Sequence, residues 1–285
     1  MSISQTLSIV DAFAHRHSCR SFSEKDISQD KKQSIQNILS DVNKLQSPFK
    51  TNGIEISETG PGLNRFWSTS NESGWLVEKV PSNHKSELMT MIIDASFKMQ
   101  IAVMKMTQIN IGTCWMAGTF NESEAEKRFP GFIIKAVVAF GEEKKSKHLM
   151  GKIFGMFGGH DKRLKFEQLF YDDDNKRYIK EDDFANKTVS QYPSYMHNFL
   201  NALRSGPSPM NSQTWRFVLS GHGKEVHLFD EKNDENSWFT SGIALANLKL
   251  LEELRGGSCN FEMKNPTPQN SPLGGKYIAT AIYTE

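Results

Sequence analysis

Between Glu87 and Asn110 the chain runs without a glycine or a proline, and its apolar residues fall on more than one helical face. Met89, Ile93, Phe97, Ile101 and Met104 share one side; Ile92, Met99, Val103 and Met106 share another. A helix apolar on most sides is one that is covered on most sides. This segment is therefore expected at the centre of a core, with the other elements arranged around it. Asp94, Lys98 and Lys105 interrupt it, so it does not read as a membrane span, which needs about 20 predominantly apolar residues.

Around this helix the pattern mixes periods. Leu7, Val10, Phe13 and Ala14 predict a first helix over Gln5 to Arg16. Ser28 is a candidate N-cap for a second helix that buries Ile35, Ile38, Leu39 and Val42. A short strand is expected at Ile54–Ile56 and a continuous interior strand over Ile133 to Phe140. Gly151 to Lys165 reads as a connection, and the charge-dense Asp172 to Asp183 as a solvated surface segment. A second series follows: a helix over Pro193 to Arg204, strands at Trp215–Ser220 and Glu225–Phe229, a helix over Ser241 to Leu254, and a closing strand over Tyr277 to Tyr283. The class is α+β.

Composition limits what such a chain can do. Its 285 residues suffice for one large domain or two modest ones, at roughly 100–200 residues each. Lys and Arg number 34 against 33 Asp and Glu, so a net charge of +1 argues against a nucleic-acid partner, which rewards clustered cations. Cys19, Cys114 and Cys259 form no CxxC pair, which argues against a disulfide framework or a thiolate metal site. Met1 to Val10 lacks the basic start and apolar middle of a secretory signal, and a cytoplasmic location without membrane partners is expected.

Three short segments carry chemistry. Arg16, Ser18 and Arg20 sit within five residues at a helix end. Two guanidinium forks and a hydroxyl can converge on one anion, or the arginines can cap helix carbonyls instead. Gly112-Thr113-Cys114-Trp115-Met116-Ala117-Gly118 has small residues at both ends, which suits either close approach to a flat ligand or a strand with a packed Trp115. Pro207-Ser208-Pro209-Met210-Asn211-Ser212-Gln213-Thr214-Trp215 offers two amides and hydroxyls that fit a ribityl chain or a pyrimidine edge, or a plain turn before a strand.

Taken together, these segments resemble the FMN-dependent nitroreductase family. Arg16-His17-Ser18-Cys19-Arg20 is similar to its Arg-x-Ser-x-Arg/Lys opening, and Asn110 to Trp115 to its Gly-Thr-Cys-Trp stretch. Gly206 to Trp215 resembles its Ala-Pro-Ser-x-x-Asn-x-Gln-Pro-Trp loop, and Arg163 to Leu169 its basic tail. Here the amide loop follows Trp115 by about 100 residues, whereas ordinary members place it first. That order resembles tandem members in which one chain holds two half-repeats and imitates the usual dimer.

The resemblance implies a nitroreductase-like fold with mixed and antiparallel sheets around buried core helices. The halves are expected at 1–185 and 186–285, in one intertwined monomer with one FMN per chain. It implies Arg16 and Arg163 at the phosphate with His17 beside it, and Ser18 at the phosphate or ribityl end. Arg20 would lie near the ribityl chain and the N1/O2 edge, with the backbone of Met116 and Ala117 towards N5 and Gly118 among the FMN-binding residues. Trp115 would lie beside the ring or in the core, and Pro207, Ser208, Asn211 and Gln213 would come from the second half. The implied activity passes hydride from NADH or NADPH to FMN, then to a nitroaromatic, quinone or similar small-molecule acceptor. Absence of a GxGxxG fingerprint fits a nicotinamide that only stacks in passing. The competing reading is a non-catalytic FMN-binding storage or regulatory protein. Gly151 to His160 is a candidate lid or a plain connector.

Overall fold

In the computed structural model, which describes residues 6–66, 68–144, 162–185, 192–264 and 271–284, Ser8 closes the N-terminus of the first helix. Its hydroxyl accepts the Asp11 N–H at 3.1 Å, so α1 (Ile9–His15) starts later than the apolar spacing predicts. Arg16 turns to extended backbone and ends it. Ser28 caps α2 (Gln29–Lys44) as expected. Strands β1 (Glu55–Thr59) and β2 (Gly74–Pro81) follow, then a 3-10 turn, Lys85–Glu87, leading into α3 (Leu88–Gln108). The chain continues through β3 (Gly112–Met116), α4 (Glu122–Arg128), β4 (Phe132–Ile133) and β5 (Val137–Gly141).

These strands form an antiparallel sheet in the order β1-β2-β5-β3, with β4 also on β2 and β3 at an edge. The expected single strand over Ile133 to Phe140 is broken. Val80 pairs with Ile133 but Val77 pairs with Val137, so one extra residue bulges out and Ile134–Ala136 leave the ladder. Alternation along β2 sends Trp75 and Val77 into a cluster with Cys114, Met116, Phe120 and Ala139. Val80 turns the other way, to Met91 and Ala95 of α3. Helix α3 is buried around its circumference, as its pattern requires. Its Asp94 is fully buried and accepts from Ser47 Oγ, the Phe49 N–H, and both the N–H and Oγ1 of Thr51, at 2.7–3.0 Å.

A second compact unit begins at Asp161. It holds α5 (Phe166–Leu169), β6 (Phe170–Asp172), β7 (Arg177–Tyr178), a 3-10 turn at Glu181–Phe184, α6 (Met196–Arg204) and a 3-10 turn at Pro209–Asn211. Strands β8 (Trp215–Ser220) and β9 (Glu225–Asp230), helices α7 (Glu235–Leu250) and α8 (Glu252–Arg255), and strands β10 (Ser258–Glu262) and β11 (Lys276–Thr284) complete it. The sheet order is β10-β11-β9-β8-β6-β7; β6 and β8 run parallel and the other pairs antiparallel. Helix α7 starts at Glu235 rather than at Ser241, because Asp234 and Ser237 form a reciprocal capping box ahead of the apolar run.

One expectation holds with an exception, and another is corrected. The segment Asp172 to Asp183 is mostly exposed, as expected, but Asp172 itself is buried in β6, where the Tyr192 hydroxyl and the N–H and side-chain amide of Asn175 satisfy its carboxylate. The division between units falls at His160/Asp161 rather than at 185, since parallel pairing of β6 with β8 draws residues 162–185 into the second sheet. Gly151 to His160 lies outside the described residues.

Candidate functional site

In the first unit, two of the three segments singled out by sequence come together. Past Arg16 the chain is extended and lies along the open edge of β3: Ser18 bridges Thr113 in parallel, and the Cys19 N–H donates to the Thr113 carbonyl at 2.9 Å. This approach depends on Gly112. A Cβ there would meet Cys19 Sγ at 3.0 Å and its Cβ at 3.1 Å. On the far side, the Arg20 carbonyl accepts the Ser70 N–H at 3.0 Å.

Within this arrangement Arg20 Nη1 donates to Cys114 Sγ at 3.0 Å. Burial pushes the Cys114 thiol up, while the charges of Arg20 and Arg16 and a hydrogen bond from Ser18 pull it down. Arg20 thus meets the sulfur directly, Ser18 lies beside it, and Arg16 acts on it through its charge alone. That sulfur is a neutral thiol; its own S–H points to the Trp115 carbonyl at 3.7 Å. Cys19, one strand over, is pushed up to about 12 by burial and by Glu143. His17 is exposed, with Nε2 at 2.9 Å from Glu143 Oε1 and Nδ1 at 3.0 Å from the His15 carbonyl.

Trp115 turns to the opposite side of β3 and donates its indole N–H to the buried Gln100 of α3 at 3.1 Å. The Trp115 side chain is half-buried there. Met116 is buried in the cluster behind the sheet, whereas Ala117 and Gly118 are exposed, Gly118 with φ +76°. The strand thus ends in an open turn.

In the second unit the amide loop and the basic segment meet each other. The Gln213 side chain is buried: Oε1 accepts the Leu164 N–H at 3.0 Å, and Nε2 donates to the carbonyls of Lys162 (3.2 Å) and Asn211 (3.1 Å). Asn211 Nδ2 also donates to the Lys162 carbonyl, at 2.9 Å. Ser208 Oγ accepts the Gln213 N–H at 3.0 Å. Arg163 places Nη1 on the Gly206 carbonyl and Nη2 on that of Ser205, at the end of α6. Its guanidinium is pulled below its ordinary range by burial and by Arg204.

Met210, Asn211 and Gln213 all adopt positive φ (50°, 57° and 47°), and Met210 is 84% exposed. Left-handed backbone costs a non-glycine residue free energy and concentrates at functional loops. Gly206 is also specific to its surroundings. A Cβ would meet Asn247 Nδ2 at 2.9 Å and the Trp215 ring at 3.2 Å, so the alanine expected from the resemblance would be crowded here.

Sequence reading missed Cys114 as the meeting point, Gln100 as the partner of Trp115, and Glu143 as the partner of His17. The strand alternation at 112–116 carries a signal for the first two, because adjacent residues must face opposite sides. Nothing local marks Glu143. Among the described residues, no helix is long and apolar enough to cross a membrane.

Comparison with known proteins agrees with this architecture. The profile of the family described as "Putative TM nitroreductase" matches residues 8–250, and the chain belongs to that family, with its nitroreductase-like fold. A solved structure of a "putative nitroreductase" from Thermotoga maritima MSB8 is 17% identical, covers 99% of this chain and 96% of its own, and superposes with a TM-score of 0.61. A nitroreductase family protein from Clostridium novyi NT is 19% identical over 51% of this chain and 91% of its own, with a TM-score of 0.41. A "putative nitroreductase" from Desulfovibrio desulfuricans, solved in complex with FMN, is 12% identical over 51% of this chain and 94% of its own, with a TM-score of 0.39. No curated protein matches.

Proposed function

We propose that the protein is an FMN-dependent oxidoreductase that takes hydride from NADH or NADPH and passes it to a nitroaromatic, quinone or similar small acceptor. The observation that carries this reading is the pairing of the Arg16–Arg20 segment with the edge of β3, which holds Ser18 against Thr113 and Arg20 on Cys114. Two cations and a hydroxyl on a rigid strand edge fit the phosphate and polyol of FMN, because forked guanidinium donors form short, charge-assisted bonds to phosphate. Membership of a nitroreductase family supports the same cofactor.

When bound, FMN supplies the hydride chemistry, and the protein's contribution is binding, orientation and electrostatics. Arg16 and Ser18 bind the phosphate end, and Arg20 supplies positive charge towards the N1/O2 edge. The exposed turn at Ala117–Gly118 leaves backbone accessible to the ring. Arg163, Pro207, Ser208, Asn211 and Gln213 enter this proposal through the resemblance. The proposed stoichiometry is one FMN per chain, in a cytoplasmic monomer.

The test is reconstitution with FMN, followed by anaerobic titration with NADH and with NADPH. The expected results are a flavin spectrum at one FMN per chain and rapid bleaching by at least one nicotinamide. Binding without bleaching would replace the enzyme with an FMN-holding protein. Protein that remains colourless overturns the flavin reading altogether.

A further inference from the structure

Cys114 belongs to no catalytic or binding role described so far, yet Arg20 of the candidate site donates to it. It sits on β3, paired with Ala139 of β5, and it is buried in the cluster of Phe22, Trp75, Met116 and Ala139. Its sulfur cannot move without disturbing that packing. From this fixed point it accepts Arg20 Nη1 at 3.0 Å, takes a hydrogen bond from Ser18, and lies within the field of Arg16. Its own proton goes to the Trp115 carbonyl.

The chemistry of the acceptor matters. A carboxylate in this place would hold Arg20 at least as firmly, but it would cancel the charge that an anionic ligand needs. A buried thiol stays protonated, so it directs the guanidinium and leaves its charge in force. Arginine has many rotamers, and a side chain ordered beforehand loses less freedom when a ligand arrives.

We propose that Cys114 is a positioning residue: its thiol orients Arg20 for FMN. This rests on the flavin reading above. Serine can reproduce both halves of the arrangement, since a hydroxyl accepts from Arg20 and donates to the Trp115 carbonyl. Alanine can reproduce neither.

The experiment measures FMN dissociation constants by flavin fluorescence quenching, and the midpoint potential of the bound flavin. The proteins are wild type, Cys114→Ser, Cys114→Ala, Arg20→Ala and the double variant Cys114→Ala/Arg20→Ala. Serine should stay within about twofold of wild type. Alanine should bind about tenfold more weakly, a loss of about 1.4 kcal/mol, and shift the potential in the same direction as Arg20→Ala. The double variant should bind no worse than Arg20→Ala alone, because the thiol acts through that side chain. If Cys114→Ala does not fold, Cys114→Val fills the space without an acceptor and takes its place.

Wild-type affinity in the alanine or valine variant, failure of serine to rescue, or additive losses in the double variant would overturn the positioning role while the flavin reading stands. A wild-type protein that binds no FMN removes both.

Discussion

The side-chain oxygen of Gln213 accepts the backbone N–H of Leu164 at 3.0 Å, joining residues that lie on opposite sides of α6 in sequence. The same amide donates to the carbonyls of Lys162 and Asn211, so one buried side chain closes the loop that carries Met210 and Asn211 in left-handed backbone. Gln213→Ala leaves one donor and two acceptors without this partner, at about 1–3 kcal/mol. Urea unfolding should show that loss. Gln213→Glu keeps the acceptor for Leu164 but buries a charge and removes both donations, so it should be at least as destabilising at neutral pH. A Gln213→Ala protein as stable as wild type would mean that the strained loop holds itself.

Asp94 performs the corresponding task in the first unit. Its carboxylate takes four hydrogen bonds from the 47–51 turn while sitting on the central helix. Bonds to a charged group are worth about 1.5–3 kcal/mol each in net terms, and orphaned buried donors cost further. Asp94→Ala should therefore destabilise the protein by about 3 kcal/mol or more. Asp94→Asn retains one acceptor oxygen and should fall between. Chemical denaturation of the three proteins orders them.

How much of this could be read from the chain depends on the range of the interaction. Helix α3 was visible because a long stretch without Gly or Pro, apolar on several faces, has few other uses. Strand β8 was bounded correctly, since turn residues punctuate both of its ends. Strand β2 escaped notice because Trp75-Leu76-Val77 followed by Glu78-Lys79 gives no alternation, and α4 escaped because its marks, the Asn121 cap and the charges at its two ends, accompany no apolar period. The burial of Asp172 could not be seen, because a dense run of charge reads as solvated until Tyr192 and Asn175 are brought to it. Arg16, Ser18 and Arg20 were recognisable as a group. That a sulfur 94 residues away receives the Arg20 guanidinium follows only from the pairing of their segment with β3. Arg163 was grouped with the first half because allegiance to a sheet is decided by the parallel pairing of β6 with β8.

A pH dependence follows from Glu78. This residue is buried on β2, its Oε1 is without a hydrogen-bond partner among the described residues, and burial pushes its carboxyl well above the ordinary range. The folded protein keeps a proton that the unfolded chain releases above about pH 4.3. Stability therefore falls as pH rises from there, by up to about 1.4 kcal/mol per unit, until the folded carboxyl itself ionises. Glu78→Gln cannot ionise and should lack this component. Unfolding free energies at pH 5, 6 and 7 should show the variant gaining on wild type with each step. Parallel curves would show that Glu78 is ionised in the fold.

Gly112 tests whether the site depends on the contact between the Arg16–Arg20 segment and β3. The glycine admits Cys19 to a distance at which any Cβ would be compressed, with the Gly141 carbonyl at 3.3 Å closing the other side. Alanine requires a displacement of a few tenths of an ångström; valine requires more than the packed strand pair can give. Overpacking of this kind costs about 1–3 kcal/mol. The displaced element carries Ser18 and Arg20, so Gly112→Val should weaken FMN binding by more than its loss of stability predicts. Gly112→Ala should do the same to a smaller degree. The comparison that decides is with Gly53→Ala: its Cβ, at φ +77°, meets Pro81 Cγ at 2.9 Å, at the end of β2 that pairs with β4 and not at the edge of β3. That variant should lose stability and keep its FMN affinity. Equal loss of affinity in both would show that general loosening of the sheet, and not the edge contact at β3, governs the site.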